Sequence, residues 1–174
     1  MLRRMLSAGL AALLGAMVLP AAAQTGGGTL RVYHRDNPPS ASIHEEATIS
    51  TAAAFMGVFN NLFIFDQSME RATTENLTPE LATSWTWNDD QTRLTLRLRG
   101  GVKWHDGKPF TSADVKCTWD TVTGRRNAGW RKSPRRGWYS NLQEVVTNGE
   151  HEVTFVLGRP QPSFMSILAS GFSA

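Results

Sequence analysis

Cysteine is almost missing: Cys117 stands alone among 174 residues. One thiol can form neither an internal disulfide nor a cysteine-based metal cage. Charge of one sign is also lacking, since 18 Lys and Arg against 15 Asp and Glu leave a formal charge of only +3. So small an excess is a poor basis for a nucleic-acid partner. Neither a G-x-S-x-G elbow nor an S-x-x-K pair occurs, so a hydrolase reading has no motif behind it. The glycines at 26–28 are no phosphate loop, because no strand precedes them and no Lys-Ser/Thr follows. A hydrophobic share of 41% nevertheless argues against a disordered chain.

Part of that share is concentrated at the start. Arg3 and Arg4 precede a mostly apolar run over residues 5–19, and the segment closes on Ala21-Ala22-Ala23. A short basic region, an apolar stretch too short to span a bilayer comfortably and an Ala-x-Ala exit have the layout of a secretory signal. The rival is an uncleaved anchor. The expected organisation is a signal over residues 1–23, a flexible leader over 24–28 and a domain over 29–174. Loss of Arg3 and Arg4 lowers the formal charge from +3 to +1. No cysteine stands at the exit to carry a lipid, so the expected compartment is the periplasm.

In the mature region, residues 29–33 alternate polar and apolar side chains and predict a strand. A helix is expected from Ser50 or Thr51, with Ala52, Phe55, Met56 and Phe59 at helical spacing and an end at Asn60-Asn61. Residues 62–65 follow as a short buried strand. The clearest β signal is a hairpin with arms 84–87 and 92–98, in which Leu94, Leu96 and Leu98 alternate with Thr95, Arg97 and Arg99. Gly100-Gly101 breaks the second arm, and residues 102–104 resume extended structure with Trp104 expected inside. Asp106-Gly107 is turn chemistry. Thr111-Ser112-Ala113-Asp114 predicts a capping box, opening a helix with Val115, Trp119 and Val122 on one face and an end near Gly124. A loop rich in Arg follows over 124–140. A second hairpin pairs 141–147 with 151–157 around a two-residue Asn148-Gly149 turn, and 162–170 predicts another helix.

Chemistry is sparse. His105-Asp106 stands without completing ligands, and His34, His44 and His151 are scattered. Cys117 reads as a small apolar filler on the capped helix. Arg125, Arg126, Arg131, Lys132, Arg135 and Arg136 lie in a stretch without acids, interleaved with Trp130 and Trp138. That loop reads as a solvated surface, a contact for an anionic ligand, or a partner surface.

Residues 77–115 resemble one family, the extracellular solute-binding proteins of peptide/nickel-type ABC importers (family 5). Its pattern is L-A-x-S-W, a hairpin, L-R-x-G-V-K-[WF]-H-D-G-x-P-[FL] and T-A-x-D-V. Here the first part is Leu81 to Trp85, the second runs from Leu98 through Gly101, Val102, Trp104, His105, Asp106 and Gly107 to Phe110, and the third is Thr111 to Val115, including Asp114. These residues read as a folding signature rather than chemistry. Ser112 stands where the family usually has Ala.

The resemblance implies a mixed α/β fold: the N-terminal part of lobe I of a two-lobed, type II periplasmic binding protein. The second lobe is absent, as though the chain were truncated. It also implies a non-enzymatic substrate-binding subunit without cofactor or metal. Such a subunit captures peptides or a related small solute and delivers them to a permease driven by ATPase subunits. The ligand contacts expected on this side of an inter-lobe pocket are His34, after the first strand, and Trp130, after the capped helix. The competing readings are a periplasmic interaction protein using the basic loop 125–138, and a secreted hydrolase.

Overall fold

The computed structural model describes residues 28–34, 36–126, 129 and 131–173. The expected signal over 1–23, residues 24–27 of the leader and Trp130 lie outside them. The chain divides into units 1–33 and 34–174. In the first, residues 28–33 carry no strand, and Leu30, Val32 and Tyr33 are exposed. Their alternation suits a strand, but a ladder needs a partner, and among the described residues none reaches them. The strand expected at 29–33 is therefore not present.

The second unit holds all the regular elements. Helix α1 (Ile49–Phe55) starts at Thr48, whose hydroxyl accepts from the Thr51 N–H at 3.4 Å. It is shorter than the spacing of its apolar residues predicted. The helix stops before Gly57, leaving Met56 and Phe59 exposed rather than on a buried stripe. Strands β1 (Phe63–Phe65) and β2 (Leu77–Pro79) form a small antiparallel ladder.

The main sheet contains β3 (Ala82–Trp87), β4 (Arg93–Leu98), β5 (Leu142–Thr147) and β6 (Glu152–Leu157), in the order β3-β4-β6-β5, all antiparallel. Leu94 faces Phe155 and Leu96 faces Val153 across the central pair, so the expected alternation delivers a buried face. The opposite face carries the Thr95–Thr154 hydroxyl contact at 2.9 Å. The β5–β6 connection is four residues, Asn148 to His151, rather than the two-residue turn expected, with Gly149 at φ +85°.

Helix α2 (Ser112–Val122) packs on β5 and β6 through Val115, Trp119 and Val122. Its start is the predicted capping box. The Asp114 carboxylate accepts from the Thr111 N–H at 2.8 Å and from the Thr111 hydroxyl at 3.2 Å. Before it, residues 102–110 make a tight hairpin held by the Lys103–Pro109 bridge. At its tip the Gly107 N–H donates to the Trp104 carbonyl at 2.9 Å. Trp104 is 45% exposed, which corrects the expectation of a buried strand at 102–104. A 3₁₀ turn (Pro134–Tyr139) and the short helix α3 (Phe164–Leu168) complete the core. The Trp119 ring meets Tyr139 at 4.6 Å and Phe155 at 5.6 Å, and Phe155 meets Phe164 at 5.9 Å.

The cap of α2 and the tip of the 102–110 hairpin can each be probed by one substitution. Thr111→Ala should cost about 1 kcal/mol through loss of the cap contacts. Gly107→Ala should cost about 1–2 kcal/mol, because Gly107 sits at φ +85° with nothing near an added Cβ. Chemical denaturation of both variants checks the pair; an unchanged midpoint in both would remove the motif from the stability of the fold.

Candidate functional site

The hairpin over 102–110 and helix α2 flank a hollow of about 320 Å³. Its inner wall is apolar: Leu62, Leu81, Val102, Phe110, Val115 and Trp119. Each arrives by a local rule. Val115 and Trp119 lie one helical turn apart on α2, and Val102 and Phe110 face each other across the hairpin, where the Phe110 N–H donates to the Val102 carbonyl at 3.0 Å. Leu62 and Leu81 both come from the Phe63–Pro79 end of the small β1–β2 ladder. Its mouth is edged by Val58, Phe59 and Trp104, all exposed. Polar groups punctuate the wall: Asp114 and Thr118 from α2, Lys103 and His105 from the hairpin, and His44, Asn60 and Ser173.

His44 is the most perturbed of these. Its Nδ1 is buried with no hydrogen-bond partner among the described residues. Burial, and then the nearby Arg135 guanidinium, hold its pKa below the ordinary value of 6.5, so the neutral ring is favoured. Arg135 is itself 97% buried, its relative exposure being 3%. It donates to the Ile43 carbonyl, while its Nε has no partner among the described residues. Burial lowers the Arg135 pKa and raises that of Tyr139, whose hydroxyl meets the Ser173 hydroxyl at 2.6 Å.

Beside the cavity, Arg131 ties down the same segment of chain. Its N–H donates to the Glu45 carboxylate at 2.9 Å and its guanidinium to Glu46 at 2.6 Å. Two residues of the basic stretch, Arg131 and Arg135, thus hold residues 43–46 in place. Arg125 likewise donates to the Leu142 carbonyl and Arg126 to the Cys117 sulfur, so neither is purely solvated. Cys117 is half-buried beside that guanidinium rather than a simple core filler.

The residues expected to contact ligand do not gather here. His34 is exposed and absent from the cavity wall, its ring 2.5 Å from the Asp36 carbonyl. Trp130 lies outside the described residues. By contrast, five residues read as fold signature, Val102, Trp104, His105, Asp114 and Val115, surround the hollow. Trp85, Leu98 and Gly101 serve the sheet and its break, the Trp85 ring meeting Phe63 at 5.1 Å with the two planes tilted by 42°. Asp106 pairs with Lys108 at 2.7 Å, and the hydrogen bond from Lys108 holds its pKa below the ordinary carboxylate value. His44 and the inward turn of Arg135 escaped sequence reasoning, since neither sits in a motif.

Mixed helices and antiparallel sheets around such a hollow are the architecture of part of a periplasmic binding protein. Residues 76–174 match the family described as bacterial extracellular solute-binding proteins, family 5 Middle, and the chain belongs to that family. It is 36% identical over 110 residues to a Brucella ovis protein named as an ABC transporter peptide-binding protein, covering 63% of this chain and 19% of that one. It is 30% identical over 135 residues to the dipeptide-binding protein of Escherichia coli K12, covering 70% of this chain and 24% of that one. Among solved structures, the solute-binding protein MoaA of A. tumefaciens R10, in complex with mannopinic acid, superposes with a TM-score of 0.64 at 29% identity. That match covers 76% of this chain and 26% of the other. The chain therefore spans between 19% and 24% of the length of these two curated relatives.

Proposed function

We propose that this chain provides part of lobe I of the substrate-binding subunit of an ABC importer. The subunit takes up peptides or a related small solute in the periplasm and presents them to a membrane permease with its ATPase subunits. The observation that carries this reading is the 30% identity to a dipeptide-binding protein over 70% of the chain. The role is binding, not catalysis, and the secretory layout of residues 1–23 supports export with a mature end at Gln24. A partner surface on the basic loop is less well supported, because Arg131 and Arg135 are engaged with residues 43–46.

The test is a chimera. The matched segment of the Escherichia coli dipeptide-binding protein is replaced by the corresponding residues of this chain, and dipeptide-dependent growth of an auxotroph is scored. Growth should be retained. A folded, exported chimera that binds neither dipeptides nor tripeptides would overturn the peptide reading.

A further inference from the structure

We infer that residues 43–46 form an acid-released latch, which closes one side of the hollow while the His44 ring is neutral and lets go when that ring takes up a proton. The segment contains no helix or strand and is held at two points by side chains of the basic stretch. At one end the buried Arg135 donates to the Ile43 carbonyl. At the other the exposed Arg131 holds Glu45 at 2.9 Å through its N–H and Glu46 at 2.6 Å through its guanidinium. His44 lies between these anchors. Ile43 and His44 also line the hollow, so release of the segment takes away part of its wall. The device is independent of what the hollow holds.

The inner anchor carries the switch. His44 and Arg135 line one small void, closed from α2 by Thr118 and Trp119 and from the 3₁₀ turn by Tyr139. Each has a buried nitrogen with no partner among the described residues, Nδ1 of His44 and Nε of Arg135. A neutral ring is tolerated there, but an imidazolium is a second cation beside a guanidinium already withdrawn from water. The surrounding groups do not offset that charge. Burial raises the Tyr139 pKa and keeps its phenol neutral, and Phe172 and Ser173, on another side of the void, bring no charge. Helix α1, behind the segment, has no charged residue. On α2, the Asp114 carboxylate is bound by Thr111, and Asp120 pairs with Lys116 at 3.0 Å. Lys103 and His105 line the hollow from the hairpin and can add only positive charge. Glu45 and Glu46, on the latch itself, are engaged by Arg131. Protonation of His44 therefore works against the Ile43 anchor and leaves the segment on Arg131 alone, whose exposed ion pairs hold weakly.

Amide hydrogen exchange of the full chain at about pH 7.5 and about pH 5, corrected for the intrinsic rate at each pH, tests this. Protection within 42–46, where the Glu45 N–H donates to the Ser42 carbonyl at 3.2 Å, should fall about tenfold at the lower pH. The amides paired between β4 and β6 should stay protected at both. His44→Gln should remove the pH dependence within 42–46. Arg131→Gln, a change at an exposed position, should move the release to higher pH, because one of the two anchors is already gone. Equal protection of 42–46 at both pH values overturns the inference. A loss that β4 and β6 share in full also overturns it, since acid then unfolds the whole domain rather than the latch. So does a release unmoved by Arg131→Gln.

Discussion

Trp119→Ala should destabilise the protein by about 4 kcal/mol and remove a cooperative melt, whereas Trp104→Ala should cost less than about 1 kcal/mol. The two tryptophans share a residue type and differ in surroundings. Trp119 is 3% exposed and joins α2, the 3₁₀ turn and β6 through its contacts with Tyr139 and Phe155. Truncation would leave a hole that three elements cannot collapse into at once. Trp104 meets Phe110 at 6.0 Å but keeps nearly half its surface in water. Calorimetric melts of the two variants provide the comparison. Equal losses would mean that the Trp104 ring is as enclosed as that of Trp119.

Acid should weaken the fold well before the carboxylates protonate. His44 has a folded pKa below its ordinary 6.5. Between those two values the unfolded chain binds more protons than the folded one, so stability rises with pH there. The contribution is complete above 6.5 and is lost as the pH falls from 6.5 toward the folded value. Asp36 and Glu45 are also held below their ordinary values of 3.8 and 4.5, by hydrogen bonds from Ser50 and the Arg131 N–H respectively. Their contributions begin to fade only at lower pH. Urea midpoints between about pH 7 and pH 5 should therefore drop in the wild type, and His44→Gln should flatten that slope. An identical slope in the variant would show that His44 is solvated rather than enclosed beside Arg135.

What was legible in the sequence was what short-range rules determine. The β3–β4 hairpin and the α2 cap each involve residues within a few positions of one another, and the Leu94, Leu96 and Leu98 alternation needs only a period of two. The four-residue β5–β6 connection was misread because Asn-Gly signals a tight turn without fixing its length. Residues 29–33 had the pattern of a strand, and pattern does not supply a partner. The cavity was illegible for a different reason: its wall draws on residues 43–44, 58–60, 62 and 81, on positions between 102 and 119, and on 173, brought together only by the tertiary fold. Arg135 stands in a stretch that reads as a solvated surface, an anionic-ligand contact or a partner surface, yet the 3₁₀ turn buries it while Arg136 stays exposed. The family resemblance was carried by a motif whose residues read as scaffold, and the same residues line the hollow.

The strand order has a bearing on how the chain reaches this structure. β4 and β6 are neighbours at the centre of the sheet, although Thr95 and Thr154 are 59 residues apart in sequence. The two flanking hairpins can each form from local contacts, but the central seam cannot close until the chain between them has been gathered, at an entropic cost that must be met before Leu94 and Phe155 touch. Helix α2 lies within that intervening chain and packs on the β5–β6 side. The topology predicts that joining the two hairpins along this strand pair limits the folding rate. Substitutions on that seam should then slow folding, whereas those on the outer strands should mainly speed unfolding.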